Sequence, residues 1–213
     1  MSFNDSFIVV GCPLSPTFRA DARTIGMLEA WRAKNVVTYY PASGAAEVGY
    51  DKIVSFAQSI EPKPTHILFV DYDVLPKSNT LKKLIEHDKD VVCGVYPAIQ
   101  THGLKWCVSR TTNDEKFDLL DIDALPDNPF KANVGANGML LVKMEVFNKL
   151  KWPYWKTVYG EDRVKKGADI YFFEKLKDAG YDIWVDPKIK CGHFRMVDLL
   201  GIANQYVLKG QKQ

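Results

Sequence analysis

Two aspartates one residue apart, Asp71 and Asp73, are the groups in this chain best placed for chemistry. They follow the apolar run Ile67 to Val70, which suits a strand covered on both faces, as in a parallel sheet. Such sheets bind ligands beyond the carboxyl ends of their strands, so both carboxylates lie where a ligand is expected. In a loop, both can reach one hard cation or one sugar nucleotide. The alternative is that they only end the strand and cap the next helix.

The composition indicates one soluble globular domain. The 213 residues are 46% hydrophobic and 25% charged, which suits a single well-packed core. The formal net charge is +2 and the basic residues are interleaved with acidic ones, so no nucleic-acid footprint is indicated. We see no signal peptide or transmembrane segment and expect a cytoplasmic protein with four reduced cysteines. The sequence leaves a homo-oligomer open.

Strand and helix signals alternate through the first half of the chain. Ser15 and Pro16, an N-cap with proline at the first helical position, predict a helix that runs to about Lys34 after a first strand at Phe7 to Val10. Further strands are predicted at 36–40, 66–70 and 91–95, and further helices at 51–59 and 78–86. This alternation predicts an α/β fold with a mostly parallel central sheet flanked by helices.

The second half begins with an irregular stretch, from after Val95 to about Pro129, that we interpret as an insertion forming part of an active-site wall. Strands are then predicted at 138–142, 183–185 and 188–191, and helices at 144–150 and 168–179. Apolar residues recur at helical spacing from Met196 to Val207 and predict an amphipathic helix. We therefore expect one domain at 1–195, with a docked helix and tail at 196–213.

Three stretches carry a resemblance to a known family. They are ILFVDYD (67–73) with DVVCGVYP (90–97), VGANGMLLV (134–142), and GADIYF (167–172) continuing to GH (192–193). In this order they resemble the family-2-like nucleotide-sugar glycosyltransferases of GT-A fold, especially short bacterial and phage members. The resemblance implies a single-domain GT-A-like (nucleotide-diphospho-sugar transferase) fold. It also implies metal-dependent transfer of a sugar, from a UDP-sugar as the expected donor, to an acceptor hydroxyl with inversion.

The resemblance assigns roles to four side chains. It implies that Asp73 and His193 hold a divalent cation, Mn²⁺ or Mg²⁺, and that Asp71 contacts the donor and assists with the metal. It implies that Asp169, at a helix amino terminus, is the general base that deprotonates the acceptor. Without the resemblance, His193 is better interpreted as a strand-end histidine bonded to the backbone, and Asp169 as a helix-dipole residue.

Four further positions are predicted to contact the donor. Pro13 and Asp51 match positions where relatives contact the nucleotide. Gly135 and Gly138 bracket a turn where absent side chains let a sugar approach the backbone, although they read equally as turn glycines. Glu161 and Asp162 are alternative candidates for the general base. The aromatic loop with Trp152, Tyr154 and Trp155 is either a stacking platform for the acceptor or part of the core.

Two alternative functions stay open. Ala168 stands where many relatives have Glu, which favours a catalytically inactive carbohydrate-binding or interaction module on the same fold. A nucleotidyltransferase would also use an α/β sheet with metal-binding acids, but it needs a glycine-rich, basic phosphate loop that residues 11–16 do not supply. The acceptor is not indicated by the sequence.

Overall fold

A seven-stranded sheet organises the computed structural model, which describes residues 2–14, 17, 20–100, 103–110, 118–196 and 200. The strands are β1 (Ile8–Gly11), β2 (Val36–Tyr39), β3 (His66–Val70), β4 (Val74–Leu75), β5 (Val91–Val95), β6 (Pro97–Gln100), β7 (Gly103–Ser109), β8 (Leu119–Asp121), β9 (Phe130–Ala132), β10 (Met139–Lys143), β11 (Val158–Tyr159), β12 (Val164–Lys166), β13 (Ile183–Lys190) and β14 (Gly192–His193). The helices are α1 (Ala22–Ala30), α2 (Ala46–Ser59), α3 (Thr80–Glu86), α4 (Met144–Lys149) and α5 (Ala168–Asp178), with a 3₁₀ turn at Phe3–Asp5.

The central sheet is mixed, which corrects the prediction of a mostly parallel sheet. Its strand order is β2-β1-β3-β10-β5-β13-β9. Strands β2, β1 and β3 run parallel to one another, as do β5 and β13, but β10 runs antiparallel to β3 and β5, and β9 runs antiparallel to β13. The sequence did not reveal this, because a strand buried on both faces reads as the same apolar run whichever way it points.

Burial on both faces explains why the central strands were predictable. Every residue of β1, β3 and β5 is buried. Helix α2 covers the sheet with Tyr50, Ile53, Val54 and Ala57, all of which are buried. All four cysteines are free, and all but Cys107 are buried. Cys93 and Cys107 lie in β5 and β7, whereas Cys12 and Cys191 lie just beyond the ends of β1 and β13. That the thiols are reduced stays a prediction.

Two helices begin at different residues from those predicted. The described helix α1 begins after Asp21, whose side chain accepts a hydrogen bond from the amide of Arg23. Ser15 and Pro16 lie outside the described residues. Helix α2 begins at Ala46, not at Asp51, and so includes Gly49. A Cβ at Gly49 would lie 2.6 Å from that of Pro13, so this glycine lets the segment after β1 pack closely on the helix.

A short ladder ties the end of the described chain to the segment after β3. Strand β14 pairs with β4, which places His193 opposite Val74. The predicted insertion contains an antiparallel sheet of β6, β7 and β8, and the two strands predicted at 183–191 are one strand, β13. The predicted amphipathic helix lies outside the described residues except at Met196 and Leu200. Within the described ranges, every helix is too short or too polar to cross a lipid bilayer.

Candidate active site

A cleft of about 180 Å³ opens at the carboxyl ends of β1 and β3. These strands are parallel neighbours, so the segments that follow them meet at one edge of the sheet. Three carboxyl groups and one guanidinium line this cleft. Two larger depressions, of about 400 and 540 Å³, lie elsewhere on the surface and do not include this acidic group. The cleft is lined by Pro13, Leu14, Ala46, Tyr50, Asp71, Tyr72, Asp73, Asp169 and Arg195.

Asp71 is held in one orientation by partners from two other parts of the chain. Its Oδ1 accepts a hydrogen bond from the hydroxyl of Tyr50, and its amide donates to the Gly138 carbonyl at 3.0 Å. The Gly138 amide donates to the Tyr96 hydroxyl, also at 3.0 Å. A Cβ on Gly138 would overlap the Asp71 carboxyl group. The glycine predicted as a donor contact therefore makes room for the aspartate, and lies in the site.

Burial raises the pKa of Asp71 to about 6, while the Tyr50 hydroxyl opposes the shift and the neighbouring Asp73 adds to it. Tyr50 is itself buried, with its ring centroid 5.1 Å from that of Trp155 and 5.9 Å from that of Phe69. Burial, together with Asp71, raises the pKa of Tyr50 well above its usual value. The phenol therefore stays protonated and donates to the carboxylate.

Asp73 faces two nitrogen groups from the segment around β14. Its Oδ2 accepts from the guanidinium of Arg195, and its Oδ1 lies 3.6 Å from Nε2 of His193. The Nδ1 of His193 lies 2.7 Å from the carbonyl oxygen of Pro97, which can only accept, so we assign the ring proton to Nδ1. In this tautomer Nε2 carries the lone pair, and this is the form in which histidine binds metals.

Asp73 and His193 present donor atoms of the kind that divalent cations bind. The His193 side chain is only 4% exposed, and its Nε2 has no hydrogen-bond partner among the described residues. Such an unsatisfied buried atom needs an explanation, and a bound cation is one. Within the described ranges, no three His, Cys, Asp or Glu side chains converge as a metal-binding group. Asp73 and His193 thus fit a divalent cation whose remaining ligands come from elsewhere, as Mg²⁺ does with waters and substrate phosphates.

Asp169 lies in the first turn of α5, directly after Gly167 and Ala168. Its side chain is exposed at the cleft surface, yet surrounding protein atoms exclude much of its hydration. This loss of hydration raises the pKa of Asp169 to about 7, and the negative charges of Asp71 and Glu47 add to the shift. A carboxyl group that titrates near neutral pH can take or give a proton.

Two predicted donor contacts lie away from this cleft. Asp51 belongs to α2 and points at the aromatic loop, where burial raises its pKa and the amides of Trp155 and Tyr154 oppose the shift. A Cβ on Gly135 would meet Cys93 Sγ at 3.0 Å and core side chains beside it. The structure therefore brings together Pro13, Asp71, Asp73, Gly138, Asp169 and His193, but not Asp51 or Gly135.

The aromatic loop divides between core and surface. Trp155 is buried, stacks on Phe172 at 4.0 Å between ring centroids, and donates from its indole to Asn137. Tyr154 is also buried, whereas Trp152 is 72% exposed. Glu161 and Asp162, the alternative candidates for the general base, lie on the exposed loop between β11 and β12. Neither residue lines the cleft.

Three site residues were missed by the sequence analysis. Tyr50 was not predicted because the predicted helix begins one residue later, at Asp51. Its place next to Asp51, a predicted donor contact, was a usable signal. Arg195 escaped because it follows the last matching motif, but its position two residues after His193 was a usable signal. Tyr96 lies inside a stretch that carries the resemblance but to which no role was assigned, and its hydrogen bond to Gly138 depends on strand pairing.

Two solved structures share this fold. The crystal structure of A197 from STIV aligns with 89% of this chain and 86% of that chain, at a TM-score of 0.61 and 19% identity. The crystal structure of GalNAc-T7 with UDP, GalNAc and Mn²⁺ aligns with 92% of this chain and 45% of that chain, at a TM-score of 0.56 and 11% identity. No family model and no curated protein matches the sequence. These likenesses confirm the GT-A fold, whereas membership of the family-2-like group stays a prediction.

Proposed function

We propose that this chain is a metal-dependent glycosyltransferase that moves a sugar from a nucleotide sugar to an acceptor hydroxyl with inversion. One observation carries the proposal. At the carboxyl edge of a GT-A sheet, Asp73 faces the unsatisfied, buried Nε2 of His193, and Asp71 and Asp169 line the same cleft.

The charge of the cleft explains why a divalent cation is required. A nucleoside diphosphate is an anion, and the cleft presents three carboxyl groups against the single guanidinium of Arg195. In our proposal Asp73 and His193 hold Mn²⁺ or Mg²⁺, with the donor's phosphates completing the shell. The bound cation would neutralise the negative charge that grows on the leaving nucleoside diphosphate.

The remaining side chains divide the work of binding and proton transfer. Asp71, fixed by Tyr50 and Gly138, would bind the donor's ribose or sugar hydroxyls as a fixed acceptor. Asp169 would take the proton of the acceptor hydroxyl as its oxygen attacks the anomeric carbon. The raised pKa of Asp169, about 7, makes it a stronger base than an ordinary carboxylate and leaves it largely ionised above neutral pH.

The choice of donor rests on likeness in fold. The crystal structure of GalNAc-T7 contains UDP, GalNAc and Mn²⁺, so we propose a UDP-sugar as the donor and Mn²⁺ as the first cation to test. Pro13 lines the same cleft and would contact the nucleotide.

Release of nucleoside diphosphate from UDP-, GDP-, CMP- and dTDP-sugars, with Mn²⁺, Mg²⁺ or chelator and without acceptor, tests the proposal. We expect slow hydrolysis of one donor that chelator abolishes and that Asp169→Asn lowers by about 100-fold or more. Asp182→Asn is the matched control, because Asp182 is exposed and pairs with Lys131. No hydrolysis and no donor binding across the panel would contradict the proposal, and binding without turnover would favour an inactive carbohydrate-binding module.

A further inference from the structure

We infer that the Arg195 guanidinium pairs with Asp73 in the free protein and moves to the donor's diphosphate when the metal ion and the donor bind. The inference rests on the proposed function and deepens it, since it names the residue that couples binding of the cation to binding of the donor.

The geometry places Arg195 in competition with a cation for one carboxylate. Its Nη1 contacts Oδ2 of Asp73, while Oδ1 of the same carboxylate lies 3.6 Å from Nε2 of His193. An ion held by Asp73 and His193 would have to share or displace the guanidinium. One short segment after β13 thus supplies both the imidazole and the competing positive charge.

The backbone of this segment is anchored, and the Arg195 side chain is half exposed. The amide of Phe194 donates to the Asp73 carbonyl at 2.8 Å, and the Phe194 ring lies under the guanidinium of Arg23 at 3.6 Å. Arg23 is itself paired with Asp21. The Arg195 side chain is 53% exposed, whereas that of Asp73 is 10% exposed. The arginine can therefore leave the pair into water, and the aspartate cannot.

A bound diphosphate would give the displaced guanidinium a new partner. Arg195 is the only cationic residue among those described as lining the cleft. Guanidinium groups bind phosphate through two parallel hydrogen bonds, which an exposed arginine on a fixed backbone can offer. The Arg195 side chain would then weaken binding of the metal ion alone and strengthen binding of the metal ion together with the nucleotide.

This double role predicts effects of opposite sign in one variant. Without Arg195, no competitor holds Asp73, so a cation alone should bind more tightly. The nucleoside diphosphate should bind more weakly, because it loses a charged hydrogen-bond partner. A purely structural role for Arg195 would weaken both binding steps together.

The test is a Mn²⁺ titration followed by electron paramagnetic resonance of the free ion, with and without UDP, in the full chain. We expect Arg195→Gln to bind Mn²⁺ alone about three- to five-fold more tightly than the parent, and UDP in the presence of Mn²⁺ about ten-fold more weakly. Arg195→Lys keeps the charge and should stay close to the parent for Mn²⁺ alone. Arg32→Gln is the charge-matched control, because Arg32 pairs with Glu29 on the surface.

The outcomes separate this inference from the proposed function. Equal or weaker Mn²⁺ binding by Arg195→Gln overturns the inference, even where the parent binds Mn²⁺ and UDP together. A parent that binds neither Mn²⁺ nor the Mn²⁺–UDP pair contradicts the metal-dependent function itself. Unchanged thermal unfolding of Arg195→Gln and Arg195→Lys would show that both variants keep the fold.

Discussion

Asp71 is enclosed by uncharged partners, whereas Asp73, two residues later, faces a guanidinium and an imidazole. The hydroxyl of Tyr50 donates to the Asp71 carboxylate, and the Gly138 carbonyl accepts from the Asp71 amide. The second has a half-exposed partner, Arg195, and lies 3.6 Å from Nε2 of His193. The loop after β3 thus holds Asp71, whose hydrogen-bond partners are buried and fixed, beside Asp73, whose partner Arg195 can be exchanged. This difference suits a fixed contact with the donor next to an exchangeable contact with a cation.

The largest expected effect comes from Asp73→Asn. Loss of the charged ligand should weaken binding of Mn²⁺ in the presence of UDP by more than about 100-fold, while the fold is retained, because its partner Arg195 is half exposed. Calorimetric titration of Mn²⁺ into the protein with UDP measures this loss. Asp182→Asn should bind like the parent, and parent-like binding by Asp73→Asn would remove Asp73 from the cation site.

Gly138→Ala tests whether Gly138 confines the carboxyl group of Asp71. The new Cβ would overlap the Asp71 carboxyl group, so we expect the free energy of unfolding to fall by about 1–3 kcal/mol. Urea unfolding measures this change. Gly26→Ala is the matched control, because no atom lies within 4 Å of a Cβ in the helical Gly26, and it should stabilise the chain by about 0.5–1 kcal/mol. Similar changes for the two variants would mean that Asp71 is not confined by Gly138.

Asp71→Asn should stabilise the protein at pH 8. The pKa of Asp71 is about 6 in the folded chain against a usual 3.8, so at pH 8 folding places an unfavourable ionised group in the cleft. We expect the variant to gain about 1–3 kcal/mol at pH 8. The gain shrinks as the pH falls through 6 towards 4, where both states of the parent become protonated. Asp73→Asn should show no such gain, since it removes an ion pair.

Tyr50→Phe is the mildest of these changes. It removes the hydroxyl that donates to Asp71 and leaves the ring packing intact. The free energy of unfolding should fall by about 1 kcal/mol, and the pKa of Asp71 should rise further, because that hydroxyl lowers it. Urea unfolding at several pH values measures both effects. Tyr159→Phe is the control, because Tyr159 is 72% exposed. Equal effects for the two variants would show that the Tyr50 hydroxyl does not stabilise Asp71.

The sequence located the strands of this site better than their partners. Strands β3 and β5 begin and end where predicted, because uninterrupted apolar runs between polar residues mark buried strands. The direction of β10 was beyond reach, since apolar runs carry no sign of direction. Without that pairing, the contact between Gly138 and Asp71 could not be deduced.

The motifs located side chains but did not distinguish their surroundings. Asp71 and Asp73 form one short motif in the sequence, and only the packing of Tyr50 and the position of Arg195 set them apart. Asp51 and Gly135 were selected by likeness to relatives, and the structure turns the first towards the aromatic loop and packs the second against Cys93. Position in a motif therefore predicted the cleft but not every residue that lines it.

A crystal structure with Mn²⁺ and UDP, with anomalous scattering recorded at the manganese edge, would identify the residues that hold the cation. We expect one anomalous peak within bonding distance of an Asp73 oxygen and of His193 Nε2, with the Asp71 carboxyl still accepting from Tyr50. We also expect the Arg195 guanidinium to lie against the diphosphate. A peak held by other residues, or UDP bound in the cleft with His193 still unpaired, would contradict this expectation.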